Sequence, residues 1–233
     1  MKKNEKIVID YESETKGMRK EERISYLSSL FKESTSELYL SFGSYYQSKK
    51  NKSNEFIKEP IIWKILNFNT FQTDNYIFLL SKYLLDSHHF SFESNEYKTS
   101  DVRKFVNDHF YNNAFNKGEK KRINLTNIDD YSDYVFLLSK EDYETPQYFI
   151  NDDSRKASCT DFALYNRGYQ SSVAKAGVYW TRSKGKKNLR SVTIIEQYGR
   201  ITSWTSYHVC PGWHGGFCSM PYETIRPAIR IKI

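Results

Sequence analysis

Residues 177–195 read GVYWTRSKGKKNLRSVTII, which are two runs of aromatic and β-branched residues on either side of a polar, basic turn. Aromatic and β-branched side chains suit a pleated strand, and glycine with asparagine marks a turn. Further strand-like runs follow at 200–204 and 224–231. These runs predict an antiparallel sheet in the last third of the chain, where Pro227 indicates an edge position or a bulge.

The first 37 residues differ in pattern from the rest. Residues 7–9 are a short strand candidate, and a helix is predicted from about 18 to 32. The apolar residues of this helix recur at helical spacing on one face: Ile24, Leu27, Leu30 and Phe31. We interpret residues 1–37 as an N-terminal extension whose amphipathic helix either docks on the main domain, at 38–233, or binds a partner.

The middle of the chain mixes both kinds of element. Strands are predicted at 38–42 with an end at Gly43, at 61–66 and 76–80 as a hairpin, and at 135–138. Hydroxyl residues close to acidic ones predict helix starts at Ser100, Ser139 and Thr160. Helices early and antiparallel strands late predict an α+β fold class, with a mixed or antiparallel sheet and flanking helices.

Composition excludes several classes of protein. Of the 233 residues, 39% are hydrophobic and 27% are charged, which is typical of a folded globular chain. No apolar run approaches the roughly 18 residues that cross a bilayer, and no apolar segment follows the N-terminal lysines as it would in a secretory signal. Three cysteines are too few for a disulfide framework. We therefore expect a cytoplasmic protein without membrane association. Nucleotide-binding and hydrolase motifs such as GxGxxG, GxSxG and HExxH do not occur.

The net charge of +7 is unevenly distributed along the chain. Residues 1–37 carry 8 basic and 8 acidic side chains, residues 38–150 carry 14 and 15, and residues 151–233 carry 13 and 5. A segment of one sign creates a field that attracts partners of the other sign. The last third is therefore predicted to bind an anionic macromolecule, with a merely solvated basic face as the alternative.

The predicted binding residues lie in two parts of this last third. The first part is the basic turn, whose cations would contact phosphates or protect a sheet edge: Arg182, Lys184, Lys186, Lys187 and Arg190. The second part is the loop at 205–223 with the residue before it: Trp204, Tyr207, His208, Trp213 and His214. Exposed rings stack on bases, sugars or a protein surface, whereas the alternative is a loop folded over its own rings.

The same loop offers two chemical hypotheses. Its histidines and cysteines carry the donor atoms of a tetrahedral zinc site, although their spacing matches no zinc module: His208, Cys210, His214 and Cys218. A thiol-dependent enzyme would use Cys210 or Cys218 with a histidine base, against the simpler interpretation of idle cysteines. We predict no metal, no cofactor and no catalytic residue, and we favour a non-enzymatic protein.

Two further groups have a structural interpretation. His88 and His89 follow Asp86, and adjacent residues of a strand point to opposite faces, so a shared metal is not expected. Arg182 and Arg226 predict a structural stack beside a tryptophan or a buried ion pair. For both groups we favour a structural role over a role in ligand binding.

Several short motifs follow one another along residues 38–233. They are FGSYYQ at 42–47, EPIIWKIL at 59–66, DVRKFVN at 101–107, VFLLS at 135–139, WTRS at 180–183 and RPA at 226–228. In this order they resemble an uncharacterised bacterial and phage domain family. The late WTRS strand and RPA strand are similar to those of the C-type lectin-like fold, which the formylglycine-generating group shares. The resemblance implies that fold without its calcium-dependent sugar site, because neither Glu-Pro-Asn nor Trp-Asn-Asp is present.

These observations predict a non-enzymatic binding protein whose basic, aromatic C-terminal surface engages a protein or nucleoprotein partner. Phage kinship extends the hypothesis to conflict between mobile elements and their hosts, such as inhibition of a CRISPR-type effector. Two alternatives stay open, namely direct binding of DNA or RNA and a thiol-dependent enzyme.

Overall fold

The N-terminal extension contributes a strand and a docked helix. The computed structural model describes residues 7–33, 37–50, 55–69, 75–91, 94–167, 176–186, 191–204 and 223–233. The first of these ranges contains strand β1 (Ile7–Asp10) and helices α1 (Tyr11–Glu14) and α2 (Lys20–Glu33). Leu27 is buried, and Ile24 and Leu30 pack against the main hydrophobic cluster. The predicted apolar face of α2 therefore docks on the body of the protein.

The strands that follow form two main sheets. In chain order they are β2 (Leu38–Lys49), β3 (Phe56–Asn69), β4 (Tyr76–Ser81), β5 (Asp86–His88), β6 (Thr126–Ile128), β7 (Tyr131–Asp133), β8 (Val135–Leu137), β9 (Tyr179–Lys184), β10 (Val192–Ile195), β11 (Ile201–Trp204), β12 (Glu223–Ile225) and β13 (Pro227–Lys232). The larger sheet has the order β1-β2-β3-β4-β13-β8 and the smaller one β11-β10-β9-β12-β5, while β6 pairs with β7 alone. The predicted β3–β4 hairpin and the β9–β10–β11 meander are confirmed.

Among the described strands, two pairs are parallel. β1 pairs with β2 in parallel, so the extension adds an edge strand to the larger sheet. β12 pairs with β9 in parallel and with β5 antiparallel, which makes the smaller sheet mixed. The division of the chain at residue 38 stays a prediction.

Gly43 does not end its strand, contrary to the prediction. β2 continues to Lys49 through a bulge, where the register with β3 shifts between Ser41 and Ser44. Gly43 has a φ of +72°, and a Cβ there would lie 2.6 Å from the ring of Phe115. Glycine alone suits both the left-handed backbone and this close approach, so the residue bends the strand instead of terminating it.

Pro227 lies inside the larger sheet, and the predicted edge position is wrong. β13 pairs with β4 on one side and with β8 on the other, and Pro227 lies opposite Leu137. The strand begins at this proline, which is a position where a missing N–H is tolerated. The C-terminal strand is therefore enclosed by two neighbours.

Short helices with defined caps connect the strands. They are α3 (Asp101–Phe105), α4 (Tyr111–Ala114), α5 (Lys117–Arg122), α6 (Lys140–Glu144), α7 (Asp152–Arg155) and α8 (Asp161–Asn166), with a π-helical turn (Val106–Phe110) between α3 and α4. Ser100, Ser139 and Thr160 accept hydrogen bonds from the first turns of α3, α6 and α8, which confirms the predicted helix starts. Among the described helices, none is both long enough and apolar enough to cross a bilayer.

Two clusters of buried apolar side chains form the core. The larger cluster includes Trp63 and Trp180, which are fully buried. Their indole nitrogens donate to the carbonyl oxygens of Phe42 (2.7 Å) and His88 (2.8 Å), so both rings are buried without an unpaired N–H. Sheets and flanking helices around this core confirm the α+β fold class.

Candidate functional site

Arg182, the first of the predicted binding residues, joins β9 to α6. Its Nη1 lies 2.6 Å from Asp142 Oδ2 and 2.9 Å from the carbonyl oxygen of Leu137. Both side chains of the ion pair are about four-fifths buried. The predicted structural ion pair of Arg182 is therefore confirmed, whereas its role in binding stays a prediction.

Arg182 and Lys184 line an open depression at the turn end of the β9–β10 hairpin, which we call the hairpin depression. Its volume is about 850 Å³. Its other walls come from three segments, at 96–98, 129–131 and 139–142. Segments that are remote in sequence thus surround two of the predicted cations of the basic turn.

Charges of both signs line the hairpin depression. Lys184 pairs with Glu96, and Lys98 pairs with Asp130 at 2.5 Å. All four side chains are between 48% and 71% exposed. Exposed pairs contribute at most about 1 kcal/mol, so these charges can exchange partners with another molecule at little cost. The depression is therefore a mixed-charge surface and not a uniformly basic one.

The basic excess of the last third is partly neutralised in the folded protein. Of the ten cations in 151–233 that the structure describes, six pair with a carboxylate: Arg155, Lys156, Arg167, Arg182, Lys184 and Arg200. Two of the carboxylates, Glu96 and Asp142, come from the middle third. The charge of a segment therefore overstates the charge of the surface to which it contributes.

Other predicted site residues have little or no structural description. Lys186 is exposed, and its backbone N–H donates to Ser203 Oγ at 3.4 Å. Trp204 is described only as the last residue of β11. The remaining candidates lie outside the described residues: Lys187, Arg190, Tyr207, His208, Cys210, Trp213, His214 and Cys218. The aromatic surface, the zinc hypothesis and the thiol hypothesis accordingly stay predictions.

The third cysteine has the environment of an unreactive thiol. Cys159 is buried, and Gly177 packs against its Sγ so closely that a Cβ at residue 177 would lie 2.5 Å away. Burial raises the pKa of the Cys159 thiol to about 11. A nucleophilic cysteine requires a lowered pKa, so Cys159 serves packing.

A buried carboxylate network that the sequence analysis did not identify lies at β5. Asp86 is 2% exposed, and its two oxygens accept hydrogen bonds from Tyr45 Oη (2.5 Å) and Asn166 Nδ2 (2.6 Å). The backbone N–H of Ser87 donates to it as well, at 2.7 Å. Burial raises the pKa of Asp86, and these three donors partly oppose that rise.

A second buried acid lies on the neighbouring strand. Glu223, in β12, is fully buried and pairs with Arg167 at 2.8 Å. Burial raises the pKa of Glu223 to about 7, although Arg167 acts in the opposite direction. Because Glu223 lies opposite His88 in the β12–β5 register, both acids belong to one face of the smaller sheet.

Histidine rings stack beside these acids, and the prediction that His88 and His89 point apart is wrong. Their ring centroids are 4.2 Å apart, because β5 ends at His88 and the backbone no longer alternates. His88 stacks on Phe105 at 4.6 Å, and Phe105 stacks on His109 at 5.0 Å. Burial lowers the pKa of both His88 and His89. Within the described ranges, no group of histidines, cysteines and acids has the arrangement of a metal site.

The cluster of buried acids and histidines is best explained as a structural network whose members have shifted pKa values. Perturbed pKa values often mark functional sites, but buried ion pairs perturb them equally. Asp86 and Glu223 are almost without solvent contact, so neither carboxyl group is accessible to a ligand in the part of the chain that the structure describes. The polar run Asp86–His88 after two leucines was the sequence signal for such a network.

The fold and these sites define a mixed α+β protein with a mixed-charge depression and a buried polar network. The chain belongs to the family described as Domain of unknown function (DUF6273), whose model matches residues 74–233. This match confirms the expected membership of an uncharacterised domain family, while the lectin-like fold and the phage kinship stay predictions. No curated protein and no solved structure matches the chain.

Proposed function

We propose that this chain is a non-enzymatic binding protein that engages a protein partner through the hairpin depression. The observation that carries the proposal is the depression itself, in which residues from four separate segments expose charges of both signs. A protein surface offers both signs of charge in return, whereas a nucleic acid offers one.

The weakness of the exposed ion pairs supports the same proposal. Lys98–Asp130 and Lys184–Glu96 stabilise the fold little, so a partner that replaces either contact loses little free energy. Arg182 and Asp142, in contrast, hold the floor of the depression in place. A preformed interface needs a rigid base and surface groups that can change partners. The buried ion pair provides the first, and the exposed ion pairs provide the second.

The test is affinity capture from a lysate of the encoding organism, with and without nuclease. The bait is the full chain, the charge-reversed variant Lys98→Glu/Lys184→Glu, or a control that reverses two exposed, paired cations elsewhere, Arg19→Glu/Lys50→Glu. The two variants change the net charge equally. We expect a protein that the wild type and the control retain after nuclease treatment and that the depression variant loses by tenfold or more.

Two results would reject this function. Equal retention by both variants would exclude the hairpin depression, and loss of every retained protein on nuclease treatment would favour direct nucleic-acid binding. Binding to a homogeneous oligonucleotide that weakens steeply with salt would support that alternative.

A further inference from the structure

A second depression lies beside Arg226, the residue between β12 and β13. Its volume is about 380 Å³, which is in the range of small-molecule sites. Four cations, two tyrosines and two carboxylates are among the residues that line it, the cations and tyrosines being Lys64, Lys82, Lys156, Arg226, Tyr39 and Tyr83. We call it the Arg226 depression.

Arg226 is a buried cation without a carboxylate. Only 3% of the residue is exposed, and no carboxylate of the described residues lies within ion-pair distance of it. Its Nε donates to the carbonyl oxygen of Ser81 (3.0 Å), and its Nη1 donates to Arg155 O (2.9 Å) and to Tyr179 Oη (3.1 Å). Nη2 makes no hydrogen bond to any described residue, so this edge of the guanidinium is left for a ligand.

Lys82 is the second cation in this depression that lacks a carboxylate among the described residues. Its Nζ lies over the rings of Tyr39 and Tyr83, 5.2 and 4.9 Å from their centroids. The other two lysines are neutralised, since Lys64 pairs with Glu37 and Lys156 pairs with Asp153. Two positive charges therefore remain uncompensated around one open cavity.

A buried charge without a counter-charge is costly, and the fold keeps this one next to solvent-filled space. We infer that the Arg226 depression binds the phosphate group of a small ligand. A phosphate monoester carries close to two negative charges, which matches the two uncompensated cations. The guanidinium supplies directed donors, the ammonium supplies a point charge, and the tyrosine rings border the space for an organic substituent.

This site is separate from the hairpin depression and does not depend on the proposed function. The two depressions share no lining residue. A partner at one and a phosphate group at the other can therefore be tested independently.

The test is thermal unfolding of the full chain in inorganic phosphate, in glycerol phosphate and in sodium chloride of matched ionic strength. A bound anion stabilises the native state, and at roughly ten times its Kd it should raise the Tm by about 2–4 °C. Equal shifts by both phosphates would mean that the phosphate group alone is recognised. A larger shift by the ester would mean that the organic part contacts the rings as well.

The deciding variant is Lys82→Met, which keeps the aliphatic stem and removes the charge. Its matched control is Lys232→Met, at an exposed lysine near the end of β13. We expect Lys82→Met to lose most of the phosphate-dependent shift and Lys232→Met to keep it. The inference is wrong if the wild type responds to phosphate no more than to chloride, or if Lys82→Met keeps the full shift.

Discussion

Arg182 and Arg226 are both arginines of the last third, both lie beside core strands, and both donate to backbone carbonyl oxygens. They differ in burial, Arg226 being the deeper of the two, and in charge, because Arg182 has the carboxylate of Asp142 and Arg226 has no carboxylate among the described residues. The difference teaches that the basic character of a segment does not locate a ligand site. A site is expected where the fold leaves a charge uncompensated next to accessible space.

The largest expected effect is that of Arg182→Met. The substitution leaves Asp142 without its partner in a region that is mostly buried, so the free energy of unfolding should fall by about 2–3 kcal/mol. Urea denaturation measures it, with Arg200→Met as the control, because Arg200 forms an exposed pair with Glu196. A cost no larger than that of the control, which we expect below about 0.5 kcal/mol, would show that Arg182 is not structural.

Glu223 extends the comparison to a buried charge of the other sign. Its pKa is about 7 in the folded protein and close to 4.5 in the unfolded chain. Between these two pH values, the carboxyl group of Glu223 is therefore protonated in the native state and ionised in the unfolded state. The stability that this proton provides is complete below about pH 4.5 and is lost as the pH rises through about 7.

The measurement is the free energy of unfolding of the wild type minus that of Glu223→Gln, from pH 4.5 to pH 7.5. The lowered pKa values of His88 and His89 act in the opposite direction, because they cost stability as the pH falls below about 6.5. Both histidines are present in both proteins, so the difference isolates Glu223. A difference that does not change with pH would contradict a raised pKa.

Arg226→Met should cost less than Arg182→Met although Arg226 is the more deeply buried. The substitution leaves three acceptors without their donor, but it also removes an uncompensated buried charge, so we expect a net loss of about 1 kcal/mol. Urea denaturation in phosphate-free buffer measures this loss. A cost above that of Arg182→Met would mean that the charge is compensated within the protein.

The smallest effect concerns the rim of the hairpin depression. A double-mutant cycle of Lys184→Ala and Glu96→Ala should give a coupling free energy of about 0.3 kcal/mol or less, because both side chains are more than half exposed. A coupling above about 1 kcal/mol would mean that the pair is part of the fold and is not free to serve a partner.

Local chemistry made part of the fold predictable. β-branched and aromatic runs correctly indicated the meander at 177–204, and hydroxyl residues beside acids correctly indicated three helix starts. Gly43 and Pro227 were misjudged because their roles depend on distant partners. The ring of Phe115 is what requires a glycine at residue 43, and pairing with β4 and β8 is what encloses Pro227.

The sites were less predictable than the fold for the same reason. Glu96 and Asp142, which pair with Lys184 and Arg182, lie 88 and 40 residues before these partners in the chain. Arg226 was recognised as a residue of interest, yet only the fold reveals that it lacks a carboxylate and borders a cavity. Pairing between distant charges, and its absence, cannot be inferred from spacing along the sequence.

Titration calorimetry of inorganic phosphate into the full chain and into Lys82→Met tests the central claim most directly. The claim is that the uncompensated cations at Arg226 and Lys82 form a ligand site. It predicts one phosphate bound per wild-type chain and binding at least tenfold weaker in the variant. Equal affinity in the two proteins, or no heat of binding in the wild type, would contradict it.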